Sequence, residues 1–252
     1  MSYEHILYEE RGPVGIITYN RPAMRNAWNA GIVRETIDAI KKINANDAIG
    51  AWVLTGAGSV YCAGADIKSP PEPKDEKGFR PTAATLSMGK GDHNWIDLLE
   101  KSKPNVIAVN GPAIGIGVTH ILSGDIRMAA ASATFSFPFL KLGAMPEAGS
   151  TALLAKLVGF GRAVDLCFSS AKIDATEAKQ IGLISSIHPD AELLDAAVAR
   201  AAQMAAYQPL QMKLTKQMLY ENAGERSSDE ILRRENGAFI ELLRTLKRSK
   251  TL

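Results

Sequence analysis

Short apolar runs and segments of helical period alternate along the first two thirds of the chain. Two apolar or alternating runs, at residues 5–10 and 14–19, flank an Arg-Gly-Pro sequence and predict a β-hairpin. Asn29 is a helix-capping residue type, and the apolar positions that follow it share one helical face to about residue 43. Strands that alternate with helices predict an α/β fold with parallel crossovers. Further buried strands are predicted at residues 51–55, 106–109 and 126–129.

The rest of the chain is predicted to be mostly helical. Residues 69–94 contain four prolines and few large apolar side chains, which predicts a long loop. A position at the rim of an active site is favoured over plain disorder, because the loop directly follows the first glycine-rich segment. Asp174 to Glu177 form a capping-box pattern, and Gly182 is placed to end that helix. A small strand is predicted at residues 183–187. The predicted helices cover residues 150–158, 162–168, 191–206, 210–222 and 228–247. Phe239 on the last of them is interpreted as a core aromatic, and the alternative is that it lines a substrate pocket.

Composition and charge narrow the class of protein. The 252 residues are 46% hydrophobic, enough for one large α/β domain, or for a domain with a helical appendage. The net charge of +2 is spread among mixed charges, so no basic stripe predicts nucleic-acid binding. Two cysteines cannot build a disulfide framework, and the sequence has no Cys/His cluster that would predict a metal site. The lack of an apolar leader or membrane-length run predicts a cytoplasmic protein without a membrane partner.

Two glycine-containing turns carry the main chemical signal. SVYCAGADIK at residues 59–68 and VNGPAIGIGVTHILSGD at residues 109–125 each read as a strand that enters small residues before a helix. Such turns expose backbone N–H groups, and two of them together can stabilise one oxygen that gains negative charge. The alternative is that the glycines only allow close packing between strand and helix. The pair of turns favours an enzyme that stabilises an oxyanion.

Several motifs in a fixed order resemble those of the crotonase superfamily, the enoyl-CoA hydratases and isomerases. The resemblance covers nearly the whole chain. It implies a spiral of ββα turns at residues 1–190, a helical trimerisation region at 191–252, and a homotrimer or a dimer of trimers. It also implies an acyl-CoA thioester as substrate, with no further cofactor. The motifs are NRPAMRNAWN at residues 20–29, CAGADIK at 62–68, AVNGPAIGIG at 108–117, SGDIRMA at 123–129, ATFS at 133–136, LGAMPEAG at 142–149 and ATEAKQIGL at 175–183.

By this resemblance, the oxyanion hole consists of the backbone N–H groups of Ala65 and Ile116. A thioester carbonyl becomes an enolate when its α-carbon loses a proton, and two N–H donors would stabilise the new charge. Asp66 and Asp125 match family positions with structural roles. The residues that the resemblance places at the substrate or its CoA are Arg25, Ala63, Asp66, Ile67, Lys68, Gly115 and Phe139. Of these, Arg25 and Lys68 suit a phosphate-rich ligand, although both are also ordinary surface charges.

The acid/base positions depart from the hydratase pattern. The two glutamates that family hydratases use fall here on Thr119 and Phe139, and neither side chain is a carboxylate. His120 lies one residue beyond the first position, about 100° away around a helix, and is interpreted as a packed or interface histidine. Glu147 matches the position at which Δ3-Δ2-enoyl-CoA isomerases of the family carry their single catalytic glutamate. The alternative for Glu147 is a charge favoured by the dipole at a helix N-terminus.

Three functional hypotheses follow. The leading one is the isomerisation of a 3-enoyl-CoA to a 2-enoyl-CoA, because one base that moves a proton from C2 to C4 suffices for it. The second is hydration through Glu147 alone, or hydrolysis or decarboxylation of another thioester, since the same oxyanion hole serves them all. The third is a non-catalytic CoA-binding scaffold or an RNA-binding relative, and the balanced charge argues against RNA.

Overall fold

The computed structural model of the chain describes residues 3–68 and 94–249. The predicted loop at residues 69–94 lies outside this part of the chain, except for its last residue. The strands are Ile6–Arg11 (β1), Val14–Tyr19 (β2), Ala51–Gly56 (β3), Asn105–Val109 (β4), Ala113–Ile114 (β5), Ile126–Ala130 (β6), Thr134–Ser136 (β7), Lys172–Asp174 (β8) and Ser186–His188 (β9). The α-helices are Ala30–Ala45 (α1), Trp95–Lys101 (α2), Ile116–Thr119 (α3), Ser150–Val158 (α4), Phe160–Ser169 (α5), Ala175–Gln180 (α6), Leu193–Ala205 (α7), Pro209–Asn222 (α8) and Ser228–Ser249 (α9).

The main sheet has the strand order β1-β2-β3-β4-β6-β9 among the described residues. β1 pairs antiparallel with β2, and every other pair in this sheet is parallel. β3 and β4 are buried along their whole length, as expected for central parallel strands with both faces covered. The predicted hairpin and parallel crossovers are therefore confirmed. A smaller sheet has the strand order β5-β7-β8, and all three of its strands follow β4 along the chain.

Local sequence signals set most element boundaries. The side chain of Asn29 accepts a hydrogen bond of 2.8 Å from the Ile32 N–H, and so caps α1 as predicted. The side chain of Asp174 does the same for Glu177 N–H at the start of α6, also at 2.8 Å. The predicted strand at 183–187 begins later, at Ser186, because the N–H groups of residues 183 and 184 still bond to the helix carbonyl of Ala178.

The C-terminal helices differ in how they contact the sheet. α7 packs against β3 and β4, whereas α8 packs against α2 and α9 packs against α8. The proposed boundary between residues 190 and 191 stays a prediction. In residues 3–68 and 94–249, no helix is both long and apolar enough to cross a bilayer. α9 leaves a row of large apolar side chains exposed, at Leu232, Phe239, Ile240, Leu243 and Leu246.

Candidate active site

The two glycine turns contact each other directly through their backbones. Cys62 N–H donates to Pro112 O at 3.1 Å, and Ile114 N–H donates to Cys62 O at 3.0 Å. A Cβ at Gly117 would lie only 2.4 Å from Cys62 O, and one at Gly111 would lie 2.1 Å from Ser59 O. The glycines therefore permit this close approach, so the packing interpretation is correct as far as it goes. The same approach joins the segments that carry Ala65 and Ile116.

The N–H group of Ala65 is left free by the way its neighbours pair. Ala65 forms an isolated parallel bridge with Trp28, in which Gly64 O accepts from Trp28 N–H and Asp66 N–H donates to Trp28 O, at 2.8 and 2.9 Å. In a parallel bridge of this kind, the backbone groups of the central residue point to the opposite side. Ala65 is exposed, and within residues 3–68 and 94–249 its N–H has no acceptor. This group is available to a substrate oxygen.

The N–H group of Ile116 is free for a different reason. Ile116 is the first residue of α3, where an N–H has no intrahelical acceptor. Gly115 precedes it with φ 56° and ψ −123°, a backbone conformation that side-chain-bearing residues rarely adopt. The N–H groups of Val118 and Thr119 both donate to Gly115 O, while no described residue accepts from Ile116 N–H. Two free donors thus lie on two turns that are in contact, as an oxyanion hole requires.

Glu147 lies in the segment between a 3-10 turn, Leu140–Leu142, and α4. Its carbonyl accepts from Ser150 N–H at 3.0 Å, whereas its carboxylate has no hydrogen bond or ion pair in the part of the chain described here. The side chain is partly buried, and this burial raises the pKa of the carboxyl above its ordinary value. Burial of the charge is the effect that the structure favours over the pull of the helix N-terminus.

The fold brings α4 close to the second glycine turn. α4 packs against His120–Ser123, the 3-10 turn that directly continues α3. Gly149, between Glu147 and α4, is held against Ile96, since a Cβ on it would lie 2.4 Å from the Ile96 side chain. The segment that carries Glu147 is therefore fixed at both α2 and the continuation of α3.

The two hydratase glutamate positions are occupied by side chains that cannot transfer protons as carboxylates do. Thr119 is completely buried, and its hydroxyl has no hydrogen-bond partner among the described residues. Phe139 is 6% exposed and belongs to the hydrophobic core. Of the three positions that the resemblance assigns to catalytic carboxylates, Thr119 and Phe139 hold none and Glu147 holds one.

His120 is a packed histidine, as the sequence predicted. Its Nδ1 lies 2.6 Å from Ile116 O, and its Nε2 lies 3.1 Å from the hydroxyls of both Tyr19 and Tyr61. A carbonyl can only accept, so Nδ1 carries the proton and Nε2 accepts from the tyrosines. Burial lowers the pKa of His120 to about 3, which keeps the ring neutral. Through the bond to Ile116 O, His120 and the two tyrosines hold the second glycine turn in place. The contacts of His120 with the tyrosines were not predicted from the sequence.

The predicted structural aspartates are confirmed as such. The Asp66 side chain is 1% exposed and lies 2.8 Å from Arg21 in an ion pair. Asp125 accepts from Asn105 and Tyr220 and forms an ion pair of 2.8 Å with the buried Lys216. Arg21 belongs to the NRPAMRNAWN motif, which was the only sequence signal for its role.

Three of the remaining predicted substrate-binding residues, Ala63, Ile67 and Lys68, lie within three residues of Ala65 along the chain. Arg25, Ile67 and Lys68 are exposed, and Ile67 is 90% exposed. Ala63 N–H donates to Arg25 O at 3.0 Å, which joins the two predicted binding segments. Contacts of these residues, and of Asp66, Gly115 and Phe139, with a CoA thioester stay predictions. No group of three or more His, Cys, Asp or Glu side chains in the described ranges is arranged to hold a metal ion.

Comparison with known proteins agrees with the geometry. The sequence profile of the enoyl-CoA hydratase/isomerase family matches residues 9–252. A short-chain-enoyl-CoA hydratase from Clostridium acetobutylicum is 35% identical over 247 residues, covering 97% of this chain and 92% of the relative. A probable enoyl-CoA hydratase from Rhizobium meliloti is 36% identical over 207 residues, covering 82% and 77%.

Solved structures show the same fold. The crystal structure of an enoyl-CoA hydratase from Bacillus anthracis superposes with a TM-score of 0.83 at 28% identity, covering 98% of this chain and 97% of that one. The expected crotonase fold is therefore confirmed, with its mixed α/β core and C-terminal helices. From the profile match, the relatives and the fold together, this chain is an enzyme of the crotonase superfamily and belongs to the enoyl-CoA hydratase/isomerase family.

Proposed function

We propose that this enzyme is a Δ3-Δ2-enoyl-CoA isomerase in which Glu147 is the proton shuttle and the N–H groups of Ala65 and Ile116 form the oxyanion hole. The observation that carries the proposal is the partly buried Glu147 carboxylate, which has no partner among the described residues and whose pKa burial raises. A carboxylate with a raised pKa is a stronger base and is better matched to proton abstraction from carbon.

The proposed reaction needs one base and no water. The Glu147 carboxylate removes a proton from C2 of the 3-enoyl thioester, and the electron pair of that C–H bond moves toward the carbonyl to give a dienolate. The two N–H groups stabilise the enolate oxygen. The carboxylic acid then returns the proton to C4, the carbonyl is restored, and the double bond now lies between C2 and C3. Removal of one such N–H donor costs about 2.7–4 kcal/mol of transition-state stabilisation in other enzymes.

Hydration is the second candidate, because the relatives described above are named enoyl-CoA hydratases. A hydratase must position a water and deliver a proton, and buried Thr119 and Phe139 supply no carboxylate for either task. Hydration through Glu147 alone would leave one group to do both. The isomerase proposal requires no second group, so it is preferred.

Product analysis separates the two reactions. The purified enzyme is incubated with a 3-enoyl-CoA and, separately, with crotonyl-CoA in ¹⁸O-labelled water, and the products are identified by mass spectrometry. The proposal predicts rapid conversion of the 3-enoyl-CoA to an unlabelled 2-enoyl-CoA, with little hydration of crotonyl-CoA. Rapid formation of ¹⁸O-labelled 3-hydroxybutyryl-CoA with little isomerisation would refute it. Tight binding of acyl-CoA without turnover would instead support a scaffold.

Assembly and location are proposed with the same function. A homotrimer or a dimer of trimers is supported by exposed large apolar side chains at Leu142, Phe160 and Phe168, which are 75%, 78% and 72% exposed in the single chain. Light scattering coupled to gel filtration measures the assembly directly. The proposed reaction uses only the CoA that the substrate carries, so no cofactor is proposed. A cytoplasmic location remains a proposal that cell fractionation tests.

A further inference from the structure

We propose that the Arg21–Asp66 ion pair is a positioning device that holds the Ala65 N–H in place and neutralises the carboxylate next to it. This inference rests on the proposed oxyanion hole. Asp66 directly follows Ala65 in the chain, whereas Arg21 comes from the segment between β2 and α1. Both side chains are almost entirely buried, so both would act through Ala65.

The guanidinium of Arg21 bonds both to the segment that carries Ala65 and to the neighbouring segment at Ala27. Its Nη2 lies 2.8 Å from Asp66 Oδ2, and its Nη1 donates to Ala27 O at 2.7 Å. The two side chains are only 14% and 1% exposed, so water screens this pair far less than a surface pair. Ala27 precedes Trp28, the residue whose backbone pairs around Ala65. The guanidinium therefore holds the segment that carries the Ala65 N–H against the segment that carries Trp28.

The rest of Asp66 adds to the same restraint. Asp66 Oδ1 accepts from Lys68 N–H at 3.1 Å, and Asp66 N–H donates to Trp28 O at 2.9 Å. Both the side chain and the backbone of this residue are therefore held. Because Ala65 lies between the fixed carbonyl of Gly64 and the fixed N–H of Asp66, its own N–H has one direction available.

Arg21 is itself anchored by Asn26. Asn26 is completely buried, and its Oδ1 accepts from Arg21 N–H at 2.9 Å. Its Nδ2 donates to Ala57 O and Val60 O, at 2.9 and 2.7 Å, in the loop that leads from β3 to the first glycine turn. Asn26 therefore links the backbone of Arg21 to the start of the first glycine turn, and the guanidinium of Arg21 binds Asp66 in that same turn.

Charge gives the pair a second effect. An enolate that forms at the Ala65 N–H would be repelled by a bare carboxylate one residue away, more strongly in a partly buried site than in water. The Arg21 cation offsets that repulsion before the substrate binds. This explains why an acidic residue can follow an oxyanion donor without opposing the chemistry.

The kinetic test uses Asp66→Ala, with Asp66→Asn as the conservative variant that keeps one of the two acceptor oxygens, either for Lys68 N–H or for Arg21. Lys216→Met is the matched control, since it breaks a buried ion pair between α8 and Asp125, which lies nine residues beyond Ile116 in the chain. We expect Asp66→Ala to lower kcat by between about 10-fold and about 100-fold, less than the 10²–10³ lost when a donor is removed outright. KM should change by less than about 3-fold, because the donor matters most in the transition state. Asp66→Asn should recover part of kcat, and Lys216→Met should leave it unchanged.

A spectroscopic readout keeps the two proposals separate. Butyryl-CoA with a ¹³C-labelled thioester carbonyl binds without reacting in isomerisation or hydration, and infrared difference spectra report how strongly its carbonyl is polarised. The carbonyl band should shift to lower frequency on the wild-type enzyme and on Lys216→Met, and the shift should shrink on Asp66→Ala. Arg21→Lys should also reduce the carbonyl shift, because a lysine ammonium lacks the planar pair of donors that contacts Asp66 Oδ2 and Ala27 O.

The outcomes are distinct. A wild-type shift that Asp66→Ala and Arg21→Lys retain, together with unchanged kcat, overturns the positioning role while the proposed function stands. No shift on the folded wild-type enzyme overturns the oxyanion hole and both proposals with it. If Asp66→Ala does not fold by circular dichroism, Asp66→Asn and Arg21→Lys decide the question, and full kcat and full shift in both overturns the inference.

Discussion

Gly117→Ala is the substitution that most directly perturbs the contact between the two glycine turns. A Cβ at this position would lie 2.4 Å from Cys62 O and 2.9 Å from Cys62 Cβ. The carbonyl would have to retreat by about 1.0 Å to reach an ordinary contact of 3.4 Å. Because Cys62 lies on the turn of Ala65, and Gly117 follows Ile116, this movement separates the two proposed donors.

The expected effects on rate and stability follow from that displacement. A misplacement of about 1 Å in an active site can cost about 100-fold in rate, which corresponds to about 2.7 kcal/mol of activation free energy. Overpacking of this kind also destabilises the fold by about 1–3 kcal/mol. For a chain of this size, that loss lowers Tm by about 2–12 °C. We therefore expect Gly117→Ala to fold, with a lower Tm and a kcat about 100-fold below wild type.

The assay is initial-rate isomerisation of a 3-enoyl-CoA, with Tm measured on the same samples by scanning fluorimetry. Gly237→Ala is the matched control, since nothing lies within 4 Å of the added methyl group. It lies inside α9, where alanine is favoured over glycine by about 0.8–1.0 kcal/mol, so kcat should be unchanged and Tm equal or higher. A folded Gly117→Ala enzyme with wild-type kcat would refute the idea that the spacing of these turns forms the oxyanion hole.

Three further predictions concern titration and buried charge. Burial holds the folded pKa of His120 at about 3, below the unfolded 6.5, so the unfolded chain binds the extra proton and the free energy of unfolding falls as pH drops below about 6.5, by up to about 1.36 kcal/mol per pH unit. Denaturant titrations at pH 7 and 5 should show a smaller loss for His120→Gln, and equal losses would contradict the assignment. The pH dependence that Glu147 gives to the free energy of unfolding has the opposite sign. Its folded pKa is raised, so ionisation opposes folding as pH rises above about 4.5. Glu147→Gln should therefore have a higher Tm than wild type at pH 8 and no advantage at pH 4, and a lower Tm at pH 8 would show that the charge is stabilised. Lys216→Met leaves Asp125 without its cation and should lower the free energy of unfolding by about 3–5 kcal/mol in denaturant titrations, while a loss below about 1 kcal/mol would mean that the pair is solvated.

The features that the sequence predicts well are those with a local cause. Asn29 and Asp174 cap their helices through residues three positions away. The glycines of the two turns, such as Gly64 with φ 104°, mark backbone conformations and close approaches that only a missing side chain allows. The two turns are therefore predictable from the residues alone, whereas the choice of Ala65 and Ile116 as the donors is implied by the resemblance to the crotonase superfamily.

The features that the sequence does not predict depend on partners distant in the chain. Neither Arg21 nor the tyrosines around His120 have a periodic or spacing signal that points to their partners. The interpretation of Phe239 as a core aromatic is wrong in the single chain, where this side chain is 60% exposed. The reason is that α9 packs mainly on α8, so an apolar position on α9 need not face the core.

The role of Glu147 as the proton shuttle is tested by the initial isomerisation rate of Glu147→Gln, measured beside wild type on a 3-enoyl-CoA. Glu100→Gln is the matched control, because Glu100 is another partly buried glutamate whose pKa is raised mainly by burial, and it lies on α2. Isomerisation should disappear in Glu147→Gln and persist in Glu100→Gln, with both proteins folded. Isomerisation at the wild-type rate in Glu147→Gln would mean that Glu147 is not the proton shuttle.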